Sequence, residues 1–164
     1  MSAWPRPTTA DIGLRAFAPS MVRLFDEVTI GMQNILISDE SAGTSDGLIR
    51  HNAQWNVAIP AGNQDYEMLL VHWLEEVLYR AEVHRQWCVA CNVMIRSSEH
   101  ELQAHASVSW VNADDVLQEV EIKAVTTHEL QVFEVEAGKT AVSKWEEVPD
   151  FAGPGWLADV VFDI

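Results

Sequence analysis

Cysteine and positive charge are what this sequence is short of. Two cysteines in 164 residues cannot build the disulfide framework that holds small secreted domains together. Lysine and arginine number 10 against 25 aspartates and glutamates, a net charge of −15. Tight binding to a phosphate backbone normally uses several Lys or Arg contacts, and a surface this acidic repels nucleic acid at long range. Any connection to RNA or DNA is therefore expected to run through a basic protein partner. The plainer reading of the acidity is solubility alone. No apolar run approaches the ~20 residues of a membrane span. The opening MSAWPRPTTADIG lacks the basic, apolar and small-residue zones of a secretory signal. Internal repeats, low-complexity tracts, a phosphate-binding glycine loop and a nucleophile elbow are absent too. These absences lead to the expectation of a cytoplasmic protein that touches no membrane and binds no nucleic acid tightly on its own.

What is present is ordinary globular composition, 48% apolar and 21% charged. One domain over residues 1–164 is expected, large enough to bury roughly 70% of its unfolded surface. Residues 9–18 read as a first strand, with Ile12, Leu14 and Ala16 on one face. Ser20 is placed to cap a helix carrying Met21, Leu24, Phe25, Val28, Met32, Ile35 and Leu36. Residues 38–47 read as a loop by composition, and 54–59 as a short strand. A long helix follows, with an apolar stripe from Tyr66 through Trp73 to Ala81; Asn63 is the expected cap, and Asp65 suits the first turn. The period then switches to two. Trp87, Val89, Cys91, Val93 and Ile95 share one face of a strand, and Leu102 to Trp110 another, as a hairpin. Further strands are expected at 120–125, 130–136 and 156–162, with a long loop before the last. The order predicts an α+β fold, two helices packed on a mostly antiparallel sheet.

Several patterns resemble chemistry without carrying it. Cys88 and Cys91 have CxxC spacing, but in a strand residues three apart point to opposite faces, so two buried structural cysteines are expected. HELQAH, residues 100–105, has its second histidine one position late for a zinc-protease helix. Asp39, Glu40 and Asp46 lack the spacing of a calcium loop.

Four stretches remain: TADIGLRAF near the start, HWLEEVLYR at 72–80, EIKAVTTHEL at 121–130, and VVFDI at 160–164. In that order they resemble the archease family, which assists the RtcB-type RNA ligase in tRNA splicing and RNA repair. The resemblance implies one strand–helix–strand–strand module inserted in another. It also implies a divalent cation held by Asp11, Asp163 and the terminal carboxylate of Ile164, with Lys123 needed for activity. His128, in the same block as Lys123, is a candidate neighbour of that site.

The residues bear on this independently. In a strand over 156–164, Trp156, Ala158, Val160 and Phe162 share the core face and Asp163 points away. With Asp11 alongside, three carboxylates converge, and two like charges ~4 Å apart repel by about 4 kcal/mol at an effective dielectric near 20. Such a cluster protonates, splays or holds a cation. An all-oxygen set favours Ca²⁺, Mg²⁺ or Mn²⁺ over zinc. The alternative is that Asp11 caps or pairs and the last strand fills a sheet edge. Lys123 likewise reads either as a neutralising partner of the carboxylates or Glu121, or as a contact for a phosphate or an acidic ligase group. Thr8 and Thr127 depart from the family pattern, and the loop over 137–155 is longer than usual.

The function these readings predict is that of a metal-binding accessory protein, not itself an enzyme, which promotes guanylylation and turnover of the ligase. The alternatives are a small divalent-metal-dependent phosphohydrolase and a metal-free, chaperone-like interaction module.

Overall fold

The structure, a computed structural model, describes residues 2–62 and 65–164. Two interleaved modules make the fold. In the outer one, strand β2 (Ile12–Ala18) leads into helix α1 (Met21–Leu36), and strands β6 (Ala124–Val135) and β9 (Gly155–Asp163) complete it. Between α1 and β6 lies the inner module: β3 (His51–Pro60), helix α3 (Tyr66–His84), and the hairpin β4 (Gln86–Ser97) and β5 (Glu101–Asn112). This is the expected strand–helix–strand–strand unit inserted in another. Every strand pairing is antiparallel. Among the described residues, no helix is long and apolar enough to cross a membrane.

The outer sheet runs β1-β2-β9-β6, where β1 is Ala3–Arg6, and the inner sheet β3-β5-β4. The last strand is thus central, between β2 and β6, and not the edge strand of the alternative reading. Strand β1 was not expected. It is four residues long with Pro5 in the middle, and proline's missing N–H confines it to an edge. Both long helices bury their apolar stripes between the sheets. Leu24, Phe25, Val28 and Met32 of α1 join Leu70, Trp73, Leu74 and Val77 of α3 in one core. Ser20 caps α1 as expected, accepting a bond from the Arg23 N–H. Asn63 lies outside the described residues; the cap of α3 is Asp65, which accepts from the Met68 N–H at 3.0 Å.

Three expectations are corrected. The supposed loop at 38–47 contains a short helix, α2 (Asp39–Thr44), and a 3-10 turn. Ser38 caps α2, and Asp39 and Glu40 occupy its first turn, where the helix dipole favours acids. The two strands expected at 120–125 and 130–136 are one strand, β6, entered only at Ala124 and irregular between Thr126 and Gln131. Lastly, β4 carries a bulge between Cys88 and Ala90 that breaks its alternation. Trp87 and Cys88 are consequently both buried, and Cys88 and Cys91, opposite Trp110 and Val108, share a face instead of facing apart.

The loop over 137–155 has a structural role. It contains the two-residue strands β7 (Thr140–Ala141) and β8 (Phe151–Ala152), and it folds across the outer face of the β2/β9 pair. There Val148 joins Phe17, Val135 and Leu157 in a second, smaller core flanked by Trp4, Trp145 and Phe151. Phe17 and Phe151 stack at 4.6 Å.

Candidate metal centre

Register brings the ends of the sequence together. Ile12 pairs with Phe162 at the end of the β2–β9 ladder, and Asp11 and Asp163 are the next residues beyond that pair on the two segments. Asp163 has the same parity as Asp159 and so lies on the outer face of the sheet, and Asp11, in the bend before β2, borders the cavity on that face beside Val161. On the other side of β9, Ala124 pairs with Asp163, and the Lys123 N–H donates to the Asp163 carbonyl at 2.8 Å. The Lys123 ammonium donates to the Ile164 main-chain oxygen at 3.0 Å. Lys123 therefore meets the carboxylate end of the chain, whichever of its two roles it serves. Thr8 donates to the Asp11 carbonyl and tightens the turn that presents Asp11. Asp163 and Ile164 are exposed and Asp11 is half-buried. Among the described residues no three His, Cys, Asp or Glu side chains form a cation cage. The proposed donor set contains only two such side chains, its third donor being a main-chain carboxylate.

His128 is exposed, in the irregular part of β6, where Glu129 adopts a left-handed backbone conformation at φ 53°. With Asp11, both border a cavity of about 400 Å³ that is also lined by Arg6, Thr8 and Trp145. His128 and Asp11 thus share this cavity, whereas Asp163, Ile164 and Lys123 lie outside its lining.

Behind the cavity is a charged network that sequence reasoning missed. Arg15 grips Asp159 with two bonds, Nε to Oδ1 at 2.8 Å and Nη2 to Oδ2 at 2.6 Å, all buried. Arg6 approaches the same carboxylate with Nε at 3.6 Å and pairs through Nη1 with Glu129 at 3.0 Å. The Trp145 ring lies against both guanidiniums, 4.6 Å from Arg6 and 4.8 Å from Arg15. Nε and Nη2 of Arg6 are buried without a hydrogen-bond partner, a state that costs roughly 1–3 kcal/mol per group when nothing fills it. Gly13 makes the arrangement possible, since a Cβ there would stand 2.5 Å from Arg6 Cγ. A signal was available: with only 10 basic residues in the chain, an arginine in the middle of an apolar strand demands a buried acid.

A second buried polar group joins α1 to β4. Asp26 accepts from the Val93 N–H at 2.8 Å and pairs with Arg23 at 3.1 Å, and the Cys91 thiol lies 3.7 Å from it. Burial raises the Asp26 carboxyl above its usual range, against the lowering pull of the Val93 N–H and Arg23. The Cys91 thiol is pushed far up by its bond with Cys88 and by burial. The Cys91 thiol therefore does not form thiolate readily, in keeping with the structural role expected of it, although only Cys88 of the pair is fully buried and Cys91 is half-buried.

Comparison with known proteins bears on the whole chain. The Archease protein family model matches residues 5–164. Protein archease of Methanosarcina barkeri is 30% identical over 160 residues, spanning 95% of this chain and 91% of that protein. Protein archease of Pyrococcus abyssi is 24% identical over 158 residues, covering 95% and 94%. The solution structure of Methanobacterium thermoautotrophicum protein 1598 superposes with a TM-score of 0.65 over 99% of both chains at 16% identity, a likeness of fold. This chain belongs to the archease family.

Proposed function

We propose that the protein is an accessory factor that promotes guanylylation and repeated turnover of an RtcB-type RNA ligase, in the cytoplasm, and does not act as an enzyme alone. Family membership supports the accessory role. The observation that supports the site is the pairing of β2 with β9, which brings the segments carrying Asp11 and Asp163 side by side, with Lys123 on Ile164. Asp11, Asp163 and the carboxylate of Ile164 are the groups that would hold a hard cation, and their all-oxygen chemistry suits Ca²⁺, Mg²⁺ or Mn²⁺. When bound, that ion would supply positive charge at an otherwise acidic end of the molecule. Lys123 places a second positive charge there and offers a donor to a phosphate or to an acidic side chain of the ligase. The chain as a whole, at a net charge of −15, suits a basic, RNA-binding partner.

The test is ligase turnover with GTP, with and without this protein. Asp11→Ala should abolish stimulation while leaving the fold intact, and an extension attached to Ile164 should do the same. Undiminished stimulation by both variants would overturn the site. Turnover of a phosphate ester by the isolated protein with Mg²⁺ or Mn²⁺ would replace this reading with that of a hydrolase. Stimulation that survives a chelator would replace it with that of a metal-free interaction module.

A further inference from the structure

We propose that the cavity between the turn at Thr8 and the irregular segment of β6 is a phosphate-binding site whose anchor is Arg6. The inference stands without the ligase reading, because it uses none of the groups assigned to the cation except as neighbours.

Four observations lead there. First, the Arg6 side chain is 1% exposed, yet it borders an open cavity of about 400 Å³. Second, its guanidinium is not used up. Nη2 has no partner, whereas the neighbouring Arg15 has both donors of its fork on Asp159. Third, the group is fixed in place. The Trp145 ring lies against it at 4.6 Å, and the absent Cβ of Gly13 leaves the channel along which its stem runs. A guanidinium held in one plane loses little freedom when it grips an oxyanion with two parallel bonds, which is the geometry that selects Arg for phosphate.

The fourth observation is Glu129. Its carboxylate meets Arg6 Nη1 at 3.0 Å, but its side chain is 55% exposed, and it hangs from the left-handed residue of the irregular segment. The carboxylate stands where a phosphate oxygen would stand, and it can swing into water. An incoming phosphate would take Nη1 from Glu129 and reach the unpartnered Nη2 with a second oxygen. Thr9, exposed at the rim, adds a hydroxyl donor. Asp11 borders the same cavity and opposes any anion, so the affinity of the free protein should be modest.

The experiment follows the backbone amide signals of Thr9 and His128, which line the cavity, together with the Arg6 Nε–H signal wherever Arg6 is present, by NMR in the intact protein while inorganic phosphate is added at constant ionic strength, with a chelator present so that no cation contributes. A saturable shift with a Kd of about 1–10 mM is expected. Glu129→Gln removes the internal competitor and should tighten binding by about threefold to tenfold. Arg6→Lys keeps the charge but loses the fork and should weaken it by about tenfold. The opposite signs of the two variants separate a phosphate site from a merely structural Arg6–Glu129 pair, which predicts no saturable shift in either. Because Glu129 is a surface residue, its variant remains informative even if Arg6→Lys fails to fold. A parallel titration with AMP identifies the source of the phosphate: tighter binding than inorganic phosphate indicates a nucleotide, and equal binding a bare phosphate. No saturable shift of the Arg6 signal in the wild type and in Glu129→Gln overturns the proposal.

Discussion

Replacing Asp159 by asparagine removes one negative charge from between two buried arginines while barely changing volume. Asp159 is 4% exposed and accepts two bonds from Arg15 at 2.8 and 2.6 Å, with Arg6 Nε a further contact at 3.6 Å. In the variant, the amide presents a donor to one of the Arg15 nitrogens, and both guanidiniums lose their common counter-charge. Glu129 cannot replace it, because its side chain is 55% exposed and water screens it. Breaking a buried pair by neutralising one partner costs about 3–5 kcal/mol, chiefly because the other charge stays buried. For a chain of this length that corresponds to a fall in Tm of roughly 6–20 °C. Urea and thermal unfolding monitored by circular dichroism would measure it. A double-mutant cycle with Arg15→Gln should return a coupling of about 2 kcal/mol, since removing both charges relieves part of the penalty. A loss under about 1 kcal/mol for Asp159→Asn alone would refute the reasoning, by showing that water or a rearranged loop already compensates the arginines.

The Asp26 carboxyl, raised above 3.8 by burial, binds its proton more tightly in the folded protein than in the unfolded chain. Its contribution to stability is therefore whole below that value and is lost as pH rises through the folded pKa. The stability of Asp26→Asn minus that of the wild type should climb as pH rises above 3.8, and a flat or falling difference in urea titrations would contradict the assignment. Gly13→Ala drives a methyl to 2.5 Å from Arg6 Cγ and 3.0 Å from Thr8 Cγ2. It should cost about 1–3 kcal/mol in chemical denaturation, and unchanged stability would mean that Arg6 lies elsewhere.

Periodicity carried the reading where a single element decides its own shape. The stripes of α1 and α3, the β4–β5 hairpin and the Ser20 cap were all legible because the signal is local. The misses share one cause, which is that a partner distant in sequence sets the conformation. Strand β1 exists only because β2 offers it an edge, and its Pro5 argued against it. The segment at 38–47 looked like a loop because its residues are turn formers, though Ser38 followed by two acids is a helix-start pattern. The Cys88–Cys91 geometry depended on a bulge that no residue type announces. At the site, the resemblance singled out Asp11, Lys123, His128, Asp163 and Ile164. The Arg6–Arg15–Asp159–Trp145 network escaped because four separate parts of the chain contribute one residue each. The length of the loop at 137–155 was visible, but its task of roofing the outer sheet was not.

Strands β2 and β9 are neighbours in the middle of a sheet, yet Arg15 and Asp159, which they pair, are 144 residues apart in the chain. On a ribosome, the first of these strands emerges with only the short β1 beside it and must wait for most of the polypeptide to follow before its other edge is paired. Closing a flexible loop of that size costs about 4 kcal/mol of chain entropy beyond a constant term. The β3–α3–β4–β5 module can collapse first and draw the two ends closer before they meet. The waiting strand, with Leu14, Ala16 and Phe17 uncovered, is where a nascent chain of this protein is most exposed to wrong pairings.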